Sequence, residues 1–435
     1  MPNKPILTLK LPVLTALRSR NYRLFFIGQS LSMIGTFMTQ VAIAWLIYEL
    51  TGSAFLLGLA GFLGQLPTFV LAPFSGVLAD RWNRYHLLIW VQIIGTILSL
   101  ALTLLYGFDQ LNVVLLIILS TLSGLLRGLD VPVRQAFVVE MLESRDDLTN
   151  AIALNASLIN GARLIGPAIA GILIATIGAG SCFLIDTVSY VAVTAMLLSM
   201  QIQPNASAGI SHPIWKTLKE GFSYVCRFLP IRSTLLLLAL MSFMGMPYLT
   251  LLPVFAVEVF QGDATTLGFL TAASGLGAFL AGVYLSTRTT VLGLGKLIAW
   301  SPMILGSSLI LFAFCPVFWL SLGLMAIAGF SSILQAASSN TLIQTIVDDN
   351  KRGRVMSFYA MCFMGTIPFG SLYAGGLANS IGAANTVAIG GVACIVGSIV
   401  FVRHLPQVRQ VLRPIYSDRG ILKVAPPLES QSSEG

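Results

Sequence analysis

Charge is what this sequence has least of. Only 10% of its 435 residues are Asp, Glu, Lys or Arg, against about 25% in a typical soluble domain, and the mean hydropathy is +0.86. A soluble fold is excluded on that ground. Histidine is rarer still: His86, His212 and His404 stand far apart, so neither a metal site nor zinc hydrolysis is expected. The five cysteines, Cys182, Cys226, Cys315, Cys362 and Cys394, form no CxxC pair and fall mostly in apolar runs. They read as small buried thiols and leave the redox compartment open. Gly293-Leu-Gly295-Lys296 is followed by Leu297 where a P-loop needs Ser or Thr, so no ATP drive is encoded. No cofactor is expected, and the chain is not read as an enzyme.

What fills the sequence instead is apolar residues, 56% of the total, gathered into runs long enough to cross a bilayer. A crossing helix needs about 20 residues. Six runs cover 24–50, 54–79, 86–107, 111–134, 148–177 and 181–200, and six more cover 233–258, 264–286, 294–314, 317–343, 355–380 and 383–402. The expected fold class is therefore an all-α membrane protein of twelve transmembrane helices. Its expected organisation is an N-terminal segment over 1–23, a six-helix bundle over 24–200, a linker over 201–232, a second bundle over 233–404 and a mobile tail over 405–435. Trp215, Lys216, Lys219 and Phe222 give the linker the pattern of an interfacial amphipathic helix. The run 24–50 is too long for the apolar core of a signal peptide and lacks a small-residue cleavage site. It is read as the first permanent span.

The net charge of +8 sits in small clusters between apolar runs, not in one patch interleaved with aromatics, so nucleic acid is not expected as a partner. Of the 25 Lys and Arg residues, 23 fall in the two tails, in the even-numbered gaps between runs or at the run ends that border those gaps. The other two, Arg127 and Arg163, lie deep inside runs, and the odd-numbered gaps with their bordering run ends carry only Glu49, Asp109, Glu258 and Asp263. By the positive-inside rule both termini are expected on the cytoplasmic side, and the expected location is the plasma (inner) membrane, multi-pass.

The two halves also repeat. Gly161, Gly166, Ala170 and Gly171 recur 204 positions later as Gly365, Gly370, Ala374 and Gly375, and Gly52, Ala54, Leu57 and Gly58 recur 210 positions later as Gly262, Ala264, Leu267 and Gly268. Each half has an even number of spans, so the copies run parallel about an axis along the membrane normal and enclose a cleft.

Between the second and third runs stands Gly76-Val-Leu-Ala-Asp80-Arg81-Trp-Asn-Arg84, which resembles the loop signature of the major facilitator superfamily. Gly161-Ala-Arg-Leu-Ile-Gly166-Pro167-Ala-Ile-Ala170-Gly171 is similar to that superfamily's antiporter motif, with Ala170 in place of one glycine. Asn21-Tyr-Arg23-Leu-Phe, Asp130-Val-Pro132-Val-Arg134, Leu148-Thr-Asn150, Gly221-Phe-Ser-Tyr224 and Arg352-Gly-Arg354-Val-Met-Ser357 resemble the macrolide-efflux and enterobactin-exporter branch, the transmembrane secretion effectors. The resemblance implies a secondary transporter that exports an amphiphilic small molecule, such as a drug or siderophore, by proton antiport and rocking of its halves. Its implied partners are that substrate, protons and the bilayer, with the chain acting as a monomer. An importer or uniporter, and a non-transporting receptor or assembly factor on the same fold, stand as alternatives.

Several residues carry candidate roles. Asp80, in the loop with Gly76, Arg81 and Arg84, is expected to latch the cytoplasmic face by engaging the helix N-terminus at Arg352 and Arg354. Charges inside spans are functional candidates by default, which singles out Arg127, Asp130, Arg163 and Asp186. Asp130 shares a helical face with Arg127 and Arg134 and is read as an ion-pair member or a proton site. Asp186 has no cation within four residues on its own helix, so it is the better proton-site candidate, unless Arg163 pairs with it. Arg127 and Arg163 would favour an anionic substrate if either faces the cleft unpaired, and are scaffold if paired. Gln29, Gln40, Gln335 and Asn340 are the polar cleft candidates. Gly161, Gly166, Pro167 and Gly171 are read as close-packing positions with a possible kink, or as an antiporter element.

Overall fold

The computed structural model describes residues 12–81, 83–200, 214–288, 290–348 and 351–419, with backbone alone described for 12–14, 72–81, 145, 214–220 and 418. Among the described residues twelve helices have the length and apolar character to cross a membrane. In the first half spans one to six are Arg20–Thr51, Ala54–Arg81, Arg84–Gly107, Val113–Phe137, Leu148–Thr176 and Gly180–Leu198. In the second half spans seven to twelve are Leu229–Val259, Ala264–Ser286, Leu294–Ala313, Phe318–Ile346, Arg352–Ile381 and Ala383–Asp418. No strand occurs among the described residues. The bilayer explains why: in hydrocarbon each backbone N–H and C=O must find its partner within the segment, which a helix provides.

Local chemistry sets several ends. Asn83 accepts from the N–H groups of Tyr85 and His86, Asn112 from Leu115, and Asp263 from Thr265 and Thr266, each satisfying donors that a helix start leaves free. Gly52 closes span one at φ +58°, its N–H reaching the Tyr48 carbonyl, a left-handed position where a side chain would be strained.

The observed ends fall within four residues of those read from the sequence, except at span twelve. There the helix continues through Pro406 and Pro414 to Asp418, where a mobile tail was expected from Leu405. Leu405, Val408 and Leu412 are buried, and Arg419 donates to the carbonyls of Thr345 and Val347 at the end of span ten. Packing against the bundle outweighs the two prolines, which local sequence reads as breaks. The linker region contains a helix, Ile214–Arg227, with 201–213 outside the described residues. Its Gly221 faces Phe358 and Arg354 at the start of span eleven.

Two spans are interrupted. Span seven passes through wide turns at Met241–Gly245 and Phe255–Val259, and span eleven is broken between Phe363 and Ile367. Interrupted backbone at membrane depth is tolerated where it lines a cavity or is buried in protein.

The loops with Glu49, Asp109, Glu258 and Asp263 define an acidic face, and those with the basic clusters a basic face. The halves meet along two seams, span two against span eleven and span five against span eight. Lipid tails are as apolar as leucine, so helices associate here through close backbone approach at small residues. A Cβ on Gly171 would lie 2.7 Å from the Ala264 carbonyl and 2.9 Å from Gly268 Cα. One on Gly375 would lie 2.7 Å from the Ala54 carbonyl and 2.7 Å from Gly58 Cα. These are the residues of the internal repeat: Gly171 and Gly375 are copies, as are Gly58 and Gly268. The repeat is thus the imprint of two equivalent crossings. Above them, toward the acidic face, Tyr48 Oη of span one donates to Glu258 Oε1 of span seven at 2.6 Å.

Not every glycine of span five packs. Gly166 presses on Phe37 and the Ile34 carbonyl of span one, whereas a Cβ on Gly161 meets nothing within 4 Å. Gly268→Val should therefore loosen the crossing by about 1–3 kcal/mol, the usual cost of overpacking, lowering the thermal unfolding midpoint of detergent-purified protein. Gly161→Ala should leave that midpoint unchanged or slightly raised.

Candidate functional site in the central cavity

Between the halves lies a cavity of about 980 Å³. Ile47 and Leu57 bound it toward the acidic face, and Ser357 and Ala360 toward the basic face. The glycine crossings and the Tyr48–Glu258 hydrogen bond lie on its acidic side and close it there.

Three charged side chains are among the described lining residues: Arg127, Arg163 and Asp186. Asp186 Oδ2 accepts from Thr39 Oγ1 at 3.0 Å and Ser99 Oγ at 3.3 Å, while Oδ1 has no partner among the described residues. Gly35 makes room for this carboxylate, since a Cβ there would lie 2.8 Å from Oδ1. Gly95 does the same for the Tyr190 ring, at 2.6 Å. Arg127 donates through Nη2 to the Gly64 carbonyl at 3.3 Å, with Asp186 and Tyr190 within electrostatic reach. The Arg163 guanidinium lies 6.0 Å from the Phe37 ring centre, the outer limit of a cation–π contact, and Tyr248 of span seven stands within its electrostatic reach. Among the described residues neither arginine forms an ion pair.

This geometry corrects several expectations. Asp130 pairs with Arg134 alone and accepts from Gln92 Nε2 at 3.4 Å. Arg127 leaves that helical face to reach span two, because the Gly64 carbonyl and the cavity offer its guanidinium polar surroundings the lipid side lacks. Asp130 does not line the cavity, so its pair is scaffold. Arg163 does not pair with Asp186 among the described residues. Of the four polar candidates only Gln40 lines the cavity. Gln29 and Gln335 are buried away from it, leaving Gln29 Nε2 and both Gln335 amide atoms unpartnered, and Asn340 accepts from Gln344 on its own helix. Pro167 lines the cavity within an uninterrupted span five.

The loop candidates are divided. Gly76, Asp80 and Arg81 lie outside the residues whose side chains are described. Arg84 donates to Glu140 beyond the end of span four at 2.9 Å, and Arg352 and Arg354 occupy the first turn of span eleven. Sequence reasoning missed Gln65, Tyr190 and Tyr248, all lining the cavity. Pro247 and Pro253 were the available signal for Tyr248, since they mark the interrupted backbone of span seven.

Among the described residues, twelve helices in two halves around a central cavity with three charged groups define a membrane transporter of the major facilitator type. The chain belongs to the transmembrane secretion effector family, whose model matches residues 12–416. It is 27% identical over 383 residues to the Staphyloferrin A transporter of Staphylococcus aureus, covering 87% of this chain and 94% of that protein. It is 25% identical over 381 residues to Macrolide efflux protein A of Streptococcus pyogenes, covering 86% and 93%. Among solved structures it is similar to a POT family transporter in complex with 5-aminolevulinic acid, at TM-score 0.71 and 12% identity over 90% of this chain and 97% of that one.

Removing one partner of a buried ion pair costs about 3–5 kcal/mol because the other charge is left behind. Asp130→Asn should therefore lower the unfolding midpoint of the purified protein sharply. Asp186→Asn, which keeps an acceptor for Thr39 and Ser99, should shift it far less.

Proposed function

We propose that the chain exports an amphiphilic small molecule of the drug or siderophore kind, by proton antiport with alternating access between its halves. The observation that carries this reading is the central cavity, closed on the acidic face and lined mainly by apolar side chains with a few charged and hydroxyl groups. The segregation of basic residues supports a cytoplasmic basic face with both termini. In that orientation the cavity as described is shut toward the outside. Export is supported by kinship with a protein named for macrolide efflux.

Within this reading Asp186 is the proton site. It is the one carboxylate among the described lining residues, and its free Oδ1 can take a proton while Oδ2 keeps its two donors. The two glycine crossings serve as pivots on which one half rocks against the other. Asp80, with Gly76, Arg81 and Arg84 around it, latches the basic face against Arg352 or Arg354 when the cavity turns outward.

The test compares intracellular and extracellular metabolites of a deletion strain and its parent by untargeted mass spectrometry. Export predicts a compound trapped inside the mutant and missing outside. A compound left in the mutant's medium that the parent consumes would mean import, and no gradient-dependent movement of the identified compound in proteoliposomes would mean a non-transporting protein. In proteoliposomes carrying wild-type protein, an imposed pH gradient should drive accumulation, and Asp186→Asn should reduce it at least tenfold while downhill exchange persists. Undiminished proton-driven accumulation in that variant would remove Asp186 from the mechanism.

A further inference from the structure

The walls of the cavity differ in chemistry. Every charged or amide-bearing side chain among the described lining residues belongs to the first half: Arg127, Arg163, Asp186, Gln40 and Gln65. The second half contributes hydroxyl groups and apolar surface, including Leu249, Ile333, Met361 and Met364. The polar wall also has an excess of positive charge, two guanidinium groups against one carboxylate.

Among the described residues no ion pair neutralises that excess. Asp186 spends Oδ2 on Thr39 and Ser99 and is not within ion-pair distance of either arginine. Beside Arg163 stand the distant face of Phe37 and the neutral Tyr248 phenol, with no hydrogen bond to a described residue. An uncompensated guanidinium at membrane depth is costly, and its planar fork of donors matches a carboxylate or similar oxyanion.

We infer that the transported molecule is an amphiphilic oxyanion whose acidic group binds the first-half wall at Arg163, assisted by Arg127, while its apolar body lies on the second-half wall. The inference rests on the transport reading above and adds the charge of the substrate and its orientation across the cavity. A ligand bound in this way spans both halves, so its binding registers on each of them.

Binding of matched probes to the full-length purified protein tests this without any gradient. N-dansyl-leucine and pyrenebutyrate are the anionic probes, their methyl esters the neutral controls, and dansylcadaverine the cationic one. Each acid should bind at least tenfold more tightly than its ester. Arg163→Gln should abolish most of that ratio while leaving ester affinity unchanged, which shows that the cavity is intact, and Arg163→Lys should restore part of it. Equal affinity of acid and ester, tighter binding of the amine, no binding across the panel, or a ratio that survives Arg163→Gln combined with Arg127→Gln overturns the inference. Because the readout is equilibrium binding, a protein that selects acids but does not export would overturn only the direction and coupling proposed above. One that exports without selecting acids would overturn only the present inference.

Discussion

The arrangement of this protein hangs on close backbone contacts between opposite halves, chief among them Gly171 with Gly268 and Gly58 with Gly375. In water such contacts would be minor beside the burial of apolar side chains. In a bilayer that driving force is absent between helices, and what remains is close packing. Glycine permits the closest approach, and the two crossings are related by the same pseudo-symmetry that relates the halves. They hold the acidic side of the cavity shut, and Tyr48 and Glu258, themselves 210 positions apart, add a hydrogen bond between the symmetry-related spans one and seven.

Closing the cavity on one side determines what its charges can do. Asp130 and Arg134 satisfy each other away from the cavity and are supported by Gln92. Asp186, Arg127 and Arg163 reach the cavity without being paired among themselves. The same bilayer that makes an intramembrane charge costly thus separates the five groups into a fixed pair that stiffens the first half and three groups open to a ligand or a proton.

The interrupted helices complete the division. Span seven turns at Met246 and Pro247, span eleven at Met364 to Thr366, and residues of both breaks line the cavity. The second half therefore offers irregular, hydroxyl-bearing and apolar surface, whereas the first offers continuous helices that fix charged side chains.

How much of this was legible beforehand depends on the range of the interaction. The twelve spans, the segregation of basic loops and the internal repeat were readable, because span length and hydropathy answer to bilayer thickness, a constraint acting on each segment alone. The repeat even contained the four glycines of the seams, though not that they meet. Span twelve was read too short since Pro406 and Pro414 signal a break locally, and only the packing of Leu405, Val408 and Leu412 overrides them. The polar candidates sorted poorly for a related reason: Gln29, Gln40, Gln335 and Asn340 look alike in sequence, yet only Gln40 turns to the cavity. Sequence alone determined that the chain is a two-half helical membrane protein with charges buried in four places. Which of those charges pair and which face the cavity was decided by the tertiary structure, because a side chain's partner in a bundle is set by neighbouring helices distant in sequence.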